Sequence, residues 1–222
     1  MKSLSLLLAV IVLSVSVACA QSTKMEYGVK CGHNALFGAF TAVSAEVEYE
    51  TKRHFAIRGG AQYSSIGRMA AEIRPQYNHD INIGQLTGHA VLGYTYQSHM
   101  NNYIVGCGVS LDMSYLWVTL GYYHRTIAIG KESICEPFNI SYELVKRCLC
   151  EVQKWDLNII ITNSKQFEIE RHYQPSFAAE GWWYPNDRWG VLIGASYKPA
   201  GVFNITSNYY QIYANVGVCY RW

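Results

Sequence analysis

The chain has 222 residues, of which 18 are Lys or Arg and 16 are Asp or Glu, so its formal net charge is only +2. Without a basic or acidic excess, the composition excludes nucleic acid and other highly charged polymers as main partners. The chain contains 18 Tyr, 6 Trp and 18 Gly but only 5 Pro. Abundant aromatics and glycine with few helix signals favour β-strands.

The first twenty residues have the pattern of a secretory signal peptide. Lys2 supplies a positive start, residues 6–17 are apolar apart from two serines, and Ala18-Cys19-Ala20 matches a small-residue cleavage site. We therefore expect residues 1–20 to be a signal peptide and residues 21–222 to form one domain. Lipidation of Cys19 is the alternative, and Ser16 stands where such sites usually carry an aliphatic residue.

Beyond residue 20, apolar and polar side chains alternate almost without a break. Successive side chains of a β-strand point to opposite faces, so each alternating segment is expected to have one apolar and one polar face. Alternating segments of about ten residues, separated by turns, are typical of a transmembrane β-barrel. Such segments occur at 25–31, 35–50, 54–64, 68–77, 85–96, 102–111, 116–124, 137–144, 154–162, 167–184, 188–198 and 209–222.

The pattern leaves the number of strands open. Twelve segments predict an all-β, closed, antiparallel up-and-down barrel of about twelve strands. The stretches 54–78 and 102–124 could each form one tall strand, which would give ten strands, and treating 125–171 as a large loop would give eight. Gly67 indicates a reversal inside the first stretch, because glycine accepts the left-handed conformation that tight turns need.

Two prolines interrupt the predicted segments. Proline lacks the N–H that a strand donates to its neighbour, so it is confined to bulges, edges and strand ends. We therefore expect Pro75 and Pro175 each to mark a bulge or the end of a strand.

The last segment, YANVGVCYRW, ends on an aromatic residue, and aromatics also cluster near the ends of other segments. With the signal peptide and the run of alternating segments, this ending resembles the small outer-membrane β-barrel proteins of Gram-negative bacteria, over the whole of residues 21–222. Trp222 stands at a position where phenylalanine is commoner. The resemblance implies an outer-membrane location and apolar faces that contact membrane lipid and lipopolysaccharide. It also implies that Tyr220 and Trp222 form the assembly signal read by the barrel-assembly machinery.

In a membrane barrel the polar faces line the lumen, where closely packed charges of both signs neutralise one another. The charges alone do not decide the orientation, because a soluble barrel would expose them to water. Aromatic residues at both ends of the apolar faces favour the membrane orientation, since they match interfacial girdles. The predicted lumen polar network consists of Glu46, Glu48, Arg58, Arg68, Glu72, Arg74, His172 and Glu180.

His172, Ser176 and Glu180 share one face of a predicted strand and are candidates for a catalytic triad. Four residues along a strand separate His172 from Ser176 by about 13 Å, at roughly 3.3 Å per residue, which is too far for a hydrogen bond. Outer-membrane lipid deacylases carry these two residue types two positions apart, and this sequence departs from that pattern. A place in the lumen network is the favoured interpretation.

No pattern in the sequence predicts a metal or another cofactor. The 7 histidines lack metal-ligand spacing, and the cysteines after residue 20 form no CxxC pair. We expect free thiols, with a bridge from Cys135 to Cys148 or Cys150 as the alternative.

Three classes of function remain at this point. The favoured one is a porin-like outer-membrane barrel with a structural, adhesive or small-solute passage role and no evident chemistry. The first alternative is a lipid-acting outer-membrane hydrolase of the deacylase or phospholipase type. The second is a secreted soluble β-barrel that binds an apolar ligand in its interior. The sequence indicates neither a solute nor an oligomeric state.

Overall fold

The computed structural model describes residues 22–35, 38–51, 54–97, 99–150, 154–165, 168–169, 175–200 and 210–222. The predicted signal peptide and His172 lie outside these residues. No helix in the described ranges is long and apolar enough to cross a membrane.

Alternation produces strands along almost the whole described chain, in agreement with the pattern of the sequence. The strands are β1 (Ser22–Asn34), β2 (Gly38–Glu50), β3 (Phe55–Ser64), β4 (Met69–Ile81), β5 (Gly84–Gln97), β6 (Met100–Met113), β7 (Leu116–Ile129), β8 (Glu132–Cys150), β9 (Trp155–Thr162), β10 (Ser164–Lys165), β11 (Glu168–Ile169), β12 (Ser176–Trp183), β13 (Trp189–Lys198) and β14 (Gln211–Arg221).

Twelve of the described strands form a closed antiparallel barrel, while β10 and β11 pair only with each other. The first strand closes the barrel by pairing with the last, from Lys24 opposite Arg221 to Asn34 opposite Gln211. Closure gives each of these twelve strands a paired neighbour on both sides over part or all of its length, which satisfies backbone groups that lipid could not. The twelve-strand prediction is confirmed.

The ten- and eight-strand alternatives are wrong. The stretch 54–78 reverses after Ser64, where Gly67 has a positive φ of 72°, so that β3 and β4 form a hairpin. The stretch 102–124 reverses after Met113 to form the β6–β7 hairpin. Strands β8 and β9 lie inside 125–171 and belong to the barrel wall.

The prediction for Pro75 is wrong, because this residue lies inside β4, pairs with Ile57 of β3 and leaves the register with β5 unchanged. Its missing N–H shows only as absent bridges to β5 between the pairs Ile73–Leu92 and Gln76–His89. The prediction for Pro175 is confirmed. Pro175 directly precedes β12. A third proline, Pro137, lies in β8 where the register with β7 shifts, a bulge that the sequence analysis did not anticipate.

The barrel is apolar outside and polar inside. Aliphatic side chains at the middle of the outer face are about half exposed, such as Val43 at 51% and Ile193 at 60%. Glu72 and Lys198, which face inward, are 5% and 3% exposed. A soluble barrel that binds an apolar ligand requires the opposite arrangement, so the soluble-barrel alternative is wrong.

Aromatic side chains of the outer face gather towards the two ends of the barrel. At the end that holds both termini, Trp155 stacks on Trp183 with ring centroids 6.1 Å apart. At the opposite end, called here the loop end, Tyr94 lies 5.4 Å from Tyr103. This arrangement matches the aromatic girdles that flank the apolar band of membrane barrels.

Candidate functional site

The inward side chains enclose a cavity of about 260 Å³ in the lumen, called here the central cavity. Its lining divides into two walls. The polar wall, from β1 to β4, contributes no apolar side chain and consists of Lys24, Glu26, Gly28, Lys30, Ser44, Glu46, Arg58 and Arg74. The apolar wall, from β7 to β9 with β12 and β13, carries Trp117, Val145, Ile160, Trp182 and Leu192 among the polar Glu143, Arg147, Asn158 and Glu180.

Ion pairs organise the polar wall. Arg58 on β3 donates from Nε and Nη2 to Oε2 of Glu46 on β2, at 3.2 and 2.7 Å. Lys24 and Glu26, two residues apart on β1, are joined by a 3.2 Å contact from Nζ to Oε2. Because side chains at i and i+2 share a face of a strand, both members of this pair reach the same lumen.

Two further members of the predicted network, Glu72 and Glu48, do not border the cavity, and each contacts a neighbouring side chain. Arg74 contacts Glu72 on the same strand, with Nη2 2.8 Å from Oε1. Glu48 accepts a hydrogen bond from Nε2 of Gln76 at 3.4 Å. Interstrand and same-strand pairs therefore neutralise most of the charge that β2–β4 place in the lumen.

The structure brings six of the eight predicted network residues to the inner face. They are Glu46, Glu48, Arg58, Glu72, Arg74 and Glu180. Arg68 lies in the turn between β3 and β4, at the loop end of the barrel. His172 lies outside the described residues, so its predicted place in the network stays a prediction.

The sequence analysis missed four cations that lie against inward-facing aromatic rings, one of which is Arg221, 5.2 Å from the ring centroid of Tyr184. Lys24 Nζ is 5.1 Å from the Trp182 ring centroid, and the Arg147 guanidinium is 5.2 Å from that of Trp117. Lys30 Nζ similarly lies 5.4 Å from the ring centroid of Tyr213. A cation at this distance is attracted to the face of the ring.

Arg147 also makes a two-point ion pair across the lumen wall. Its Nη1 and Nη2 donate to Oδ1 and Oδ2 of Asp112 on β6, at 2.7 and 3.2 Å. The alternation in β1 was sufficient to place Lys24 and Lys30 inside. Arg147, in contrast, follows the predicted end of its segment at residue 144, and only the observed length of β8 brings it into the barrel.

Apolar side chains narrow the lumen. Near the termini, Trp182 and Leu192 form a buried cluster with Cys219. Towards the loop end, Phe40 and Tyr213 pack together with ring centroids 6.5 Å apart. Tyr213 is accommodated by Gly32 opposite, where a Cβ atom would lie 2.5 Å from the Cβ of Tyr213.

Two asparagines lining the central cavity have polar atoms without a partner. Oδ1 of Asn215 on β14 and Oδ1 of Asn158 on β9 are buried and make no hydrogen bond to any described residue. Asn215 is only 6% exposed. Both atoms are enclosed by protein, and Oδ1 of Asn215 packs against Gly194, where an added Cβ would lie 2.5 Å from it. Each is therefore a local cost in stability and not a contact offered to the cavity.

The candidate triad residues are only partly described. Ser176 is buried at the start of β12, opposite Thr162 of β9, and Glu180 faces the lumen from the same strand. Since His172 lies outside the described residues, the hydrolase hypothesis stays a prediction. No group of three His, Cys, Asp or Glu side chains suited to a metal ion occurs in the described part of the chain.

The cysteines follow the predicted free-thiol state wherever their side chains are described. Cys31, Cys107, Cys135, Cys148 and Cys219 are all free. A bridge between Cys135 and Cys148 is therefore excluded, whereas the side chain of Cys150 lies outside the description. Cys135 Sγ instead lies 3.0 Å from Nε2 of His124.

The two residues of the predicted assembly signal belong to the aromatic cluster near the termini. Tyr220 contacts Trp189 and Trp222, with ring centroids 4.8 and 5.4 Å apart. Inside the same end, Tyr184 stacks on Trp182 at 6.1 Å just beyond β12. Burial raises the pKa of Tyr184 to about 12.

Comparisons with known proteins identify the fold. No family model and no curated protein matches the sequence. The structure is similar to that of the KdgM porin in complex with disordered oligogalacturonate, at 11% identity over 89% of this chain and 98% of that chain, with a TM-score of 0.58. The NanC porin is 12% identical over 87% and 98%, with a TM-score of 0.56. The translocator domain of the autotransporter NalP from Neisseria meningitidis is 15% identical over 100% and 97%, with a TM-score of 0.57.

These likenesses establish the architecture of outer-membrane β-barrels for the described chain. Porins and a translocator domain match about equally well. Because one fold serves several functions, the functional conclusion depends on the lumen itself.

Proposed function

We propose that this protein is an outer-membrane barrel whose narrow, charged lumen allows small polar solutes to cross the membrane. The observation that carries the proposal is the inversion of polarity across the wall. Aliphatic side chains cover the outside between two aromatic girdles, while ion-paired side chains surround a cavity inside.

A lipid environment explains the outer face. Val43, Ile193 and Val216 are each about half exposed or more, at 51%, 60% and 53%. A large contiguous apolar surface is unfavourable in water and typical of a surface that contacts a membrane or another protein. The closed strand pairing satisfies the backbone within the lipid.

A role in passage, rather than a purely structural or adhesive one, is supported by the lining. A barrel that served only as an anchor gains nothing from a cavity bordered by charged groups, because burying charge costs free energy. The likeness to the KdgM and NanC porins is consistent with passage. Their solutes are not transferred to this chain.

The proposal includes export and assembly. Residues 1–20 direct the chain across the inner membrane, and the barrel-assembly machinery reads the strand that ends in Tyr220 and Trp222. Outer-membrane lipid and lipopolysaccharide then surround the apolar band. Cell fractionation and heat-modifiable migration on a gel test this part, and a chain that stays monomeric in buffer without detergent would contradict it.

Passage is tested by measuring the conductance of the barrel in planar bilayers after a thiol on either the inner or the outer face of one strand has been modified. In a variant without cysteines, Ser44→Cys places a thiol in the central cavity, and Val43→Cys places one on the lipid face of the same strand. A cationic methanethiosulfonate reagent should reduce the conductance of the Ser44→Cys barrel and leave the Val43→Cys barrel unchanged. Equal effects on both, or no conductance by the unmodified barrel, would refute passage.

A further inference from the structure

We propose that the central cavity binds a zwitterionic solute with an apolar body, of the class of an amino acid with a large aliphatic side chain. The inference deepens the proposed passage function by naming a class of solute, and it rests on that function for its biological meaning. The binding site itself is argued from the two walls of the cavity.

The lining carries both signs of charge in nearly equal number. Among the described residues that border the cavity, five are cationic and four are carboxylates. The cations are Lys24, Lys30, Arg58, Arg74 and Arg147, and the carboxylates are Glu26, Glu46, Glu143 and Glu180. No single sign therefore dominates the space that a solute would occupy.

The existing ion pairs determine which kind of charged solute can bind in the central cavity. Glu46 accepts both hydrogen bonds of Arg58 on one oxygen, and Lys24 is paired with Glu26. Arg58 has five N–H donors, of which Glu46 uses two, so a carboxylate can bind Arg58 without displacing Glu46. A simple anion bound there adds an uncompensated negative charge beside Glu46 in a confined lumen, whereas a zwitterion also brings an ammonium group that binds the glutamate.

The wall opposite these pairs suits an apolar body. Trp117 and Ile160 border the cavity from β7 and β9, which lie across the barrel from β1 and β3 in the order of the strands. Leu192 on β13, two strands from β1, adds further apolar surface to the lining. Apolar surface of the solute that is removed from water at these side chains favours binding.

The size of the cavity limits the solute. At about 260 Å³, it lies just below the range of roughly 300–1,000 Å³ typical of pockets for drug-sized ligands. A single amino acid fits this volume, whereas an oligomeric solute would have to extend beyond it.

Calorimetry on the folded barrel in detergent tests the inference without requiring transport. L-leucine carries both charges, N-acetyl-L-leucine only the negative one and L-leucinamide only the positive one, on the same apolar body. Leucine should bind at least tenfold more tightly than either analogue. Glycine, which lacks the apolar body, should bind at least tenfold more weakly than leucine.

A paired variant links the binding to the polar wall. Replacing both members of the Arg58–Glu46 pair by glutamine removes two opposite charges without changing the net charge, and should abolish leucine binding. The matched control replaces Arg125 and Glu136, a pair 3.4 Å apart that does not border the cavity, and should retain it. Heat-modifiable migration verifies that each variant is folded, and the analogue series on the unaltered barrel does not depend on either variant.

Three results would overturn the inference. They are equal binding of leucine and one of its singly charged analogues, equal binding of glucose as an uncharged solute of similar size, and no binding of leucine at all. Conductance without leucine binding would refute the zwitterion site and leave passage intact. Leucine binding without conductance would refute passage and leave the site intact.

Discussion

Replacing Ile193 by arginine separates a membrane barrel from a soluble one more sharply than any other single change. Ile193 is 60% exposed on the outer face of β13, beside Val216 of β14. In water, substitution of such an exposed residue usually changes stability by no more than about 0.5 kcal/mol. In lipid, the same arginine must place a charge in hydrocarbon.

The position of Ile193 along its strand determines how much free energy the arginine costs. Trp189 and Tyr197 bound the outer face of β13, each four residues away. The eight residue steps between them span about 26 Å at ~3.3 Å per residue, or roughly 20 Å along the membrane normal at a tilt of about 40°. Ile193 therefore lies near the midplane, where arginine costs about 2–4 kcal/mol. At 1.4 kcal/mol per factor of ten, that is roughly a 30- to 700-fold loss in the folding equilibrium constant.

Equilibrium unfolding in guanidinium, with the barrel inserted in phospholipid vesicles, measures the change. Tyr197→Arg is the matched control, because it lies on the same strand and face but at the interface, where the cost falls to about 0–1 kcal/mol. If Ile193→Arg and Tyr197→Arg changed the free energy of unfolding equally, the outer face would not be a depth-dependent lipid contact. The membrane orientation would then be wrong.

Three further predictions concern the wall and the lumen. Arg58→Met and Glu46→Leu should each lower the free energy of unfolding of the barrel. In a double-mutant cycle the double variant should lose less than the sum of the two single losses, with a coupling of about 0.5–3 kcal/mol. Additive losses would show that the 2.7 Å ion pair contributes nothing. Gly84→Ala should destabilise by about 1–3 kcal/mol, because φ is +150° and the new Cβ would lie 2.0 Å from a carbonyl oxygen of β6. Gly88→Ala, where nothing lies within 4 Å, should be close to neutral, and an equal loss at both sites would contradict the steric argument. A polar maleimide should label Cys135, exposed on β8 near the loop end, before Cys107 in the middle of the outer face of β6, and mass spectrometry showing Cys107 labelled first would contradict a lipid-covered middle of the wall.

The alternation of side chains was sufficient to predict the barrel and the two faces of its wall. Side chains of a strand alternate between its two faces. A strand with lipid on one side and a polar lumen on the other therefore has apolar and polar residues in alternation. With the aromatic girdles to fix the orientation, Arg58 and Glu46 could be placed inside. A gap in the ladder at Pro75 was predictable, because the missing N–H is a local property, but the continuation of β4 past it in register was not.

The same rule could not count the strands. Inward residues of β3 and β4 both have even numbers, as Arg58 and Arg74 show, because the turn between these strands keeps the alternation in phase. A hairpin and one tall strand therefore look alike in the sequence. Only the observed pairing distinguishes them.

Partners across the lumen depend on how the barrel closes. Arg147 and Asp112 are separated by 35 residues, and Trp182 receives Lys24 from the first strand only because β1 pairs with β14. The sequence by itself determined which side chains share a face, since that follows from the local period, and its aromatic residues indicated which face is inward. The tertiary structure decided which of them meet and how the polar and apolar walls face one another, since closure and register bring together residues that no local pattern relates.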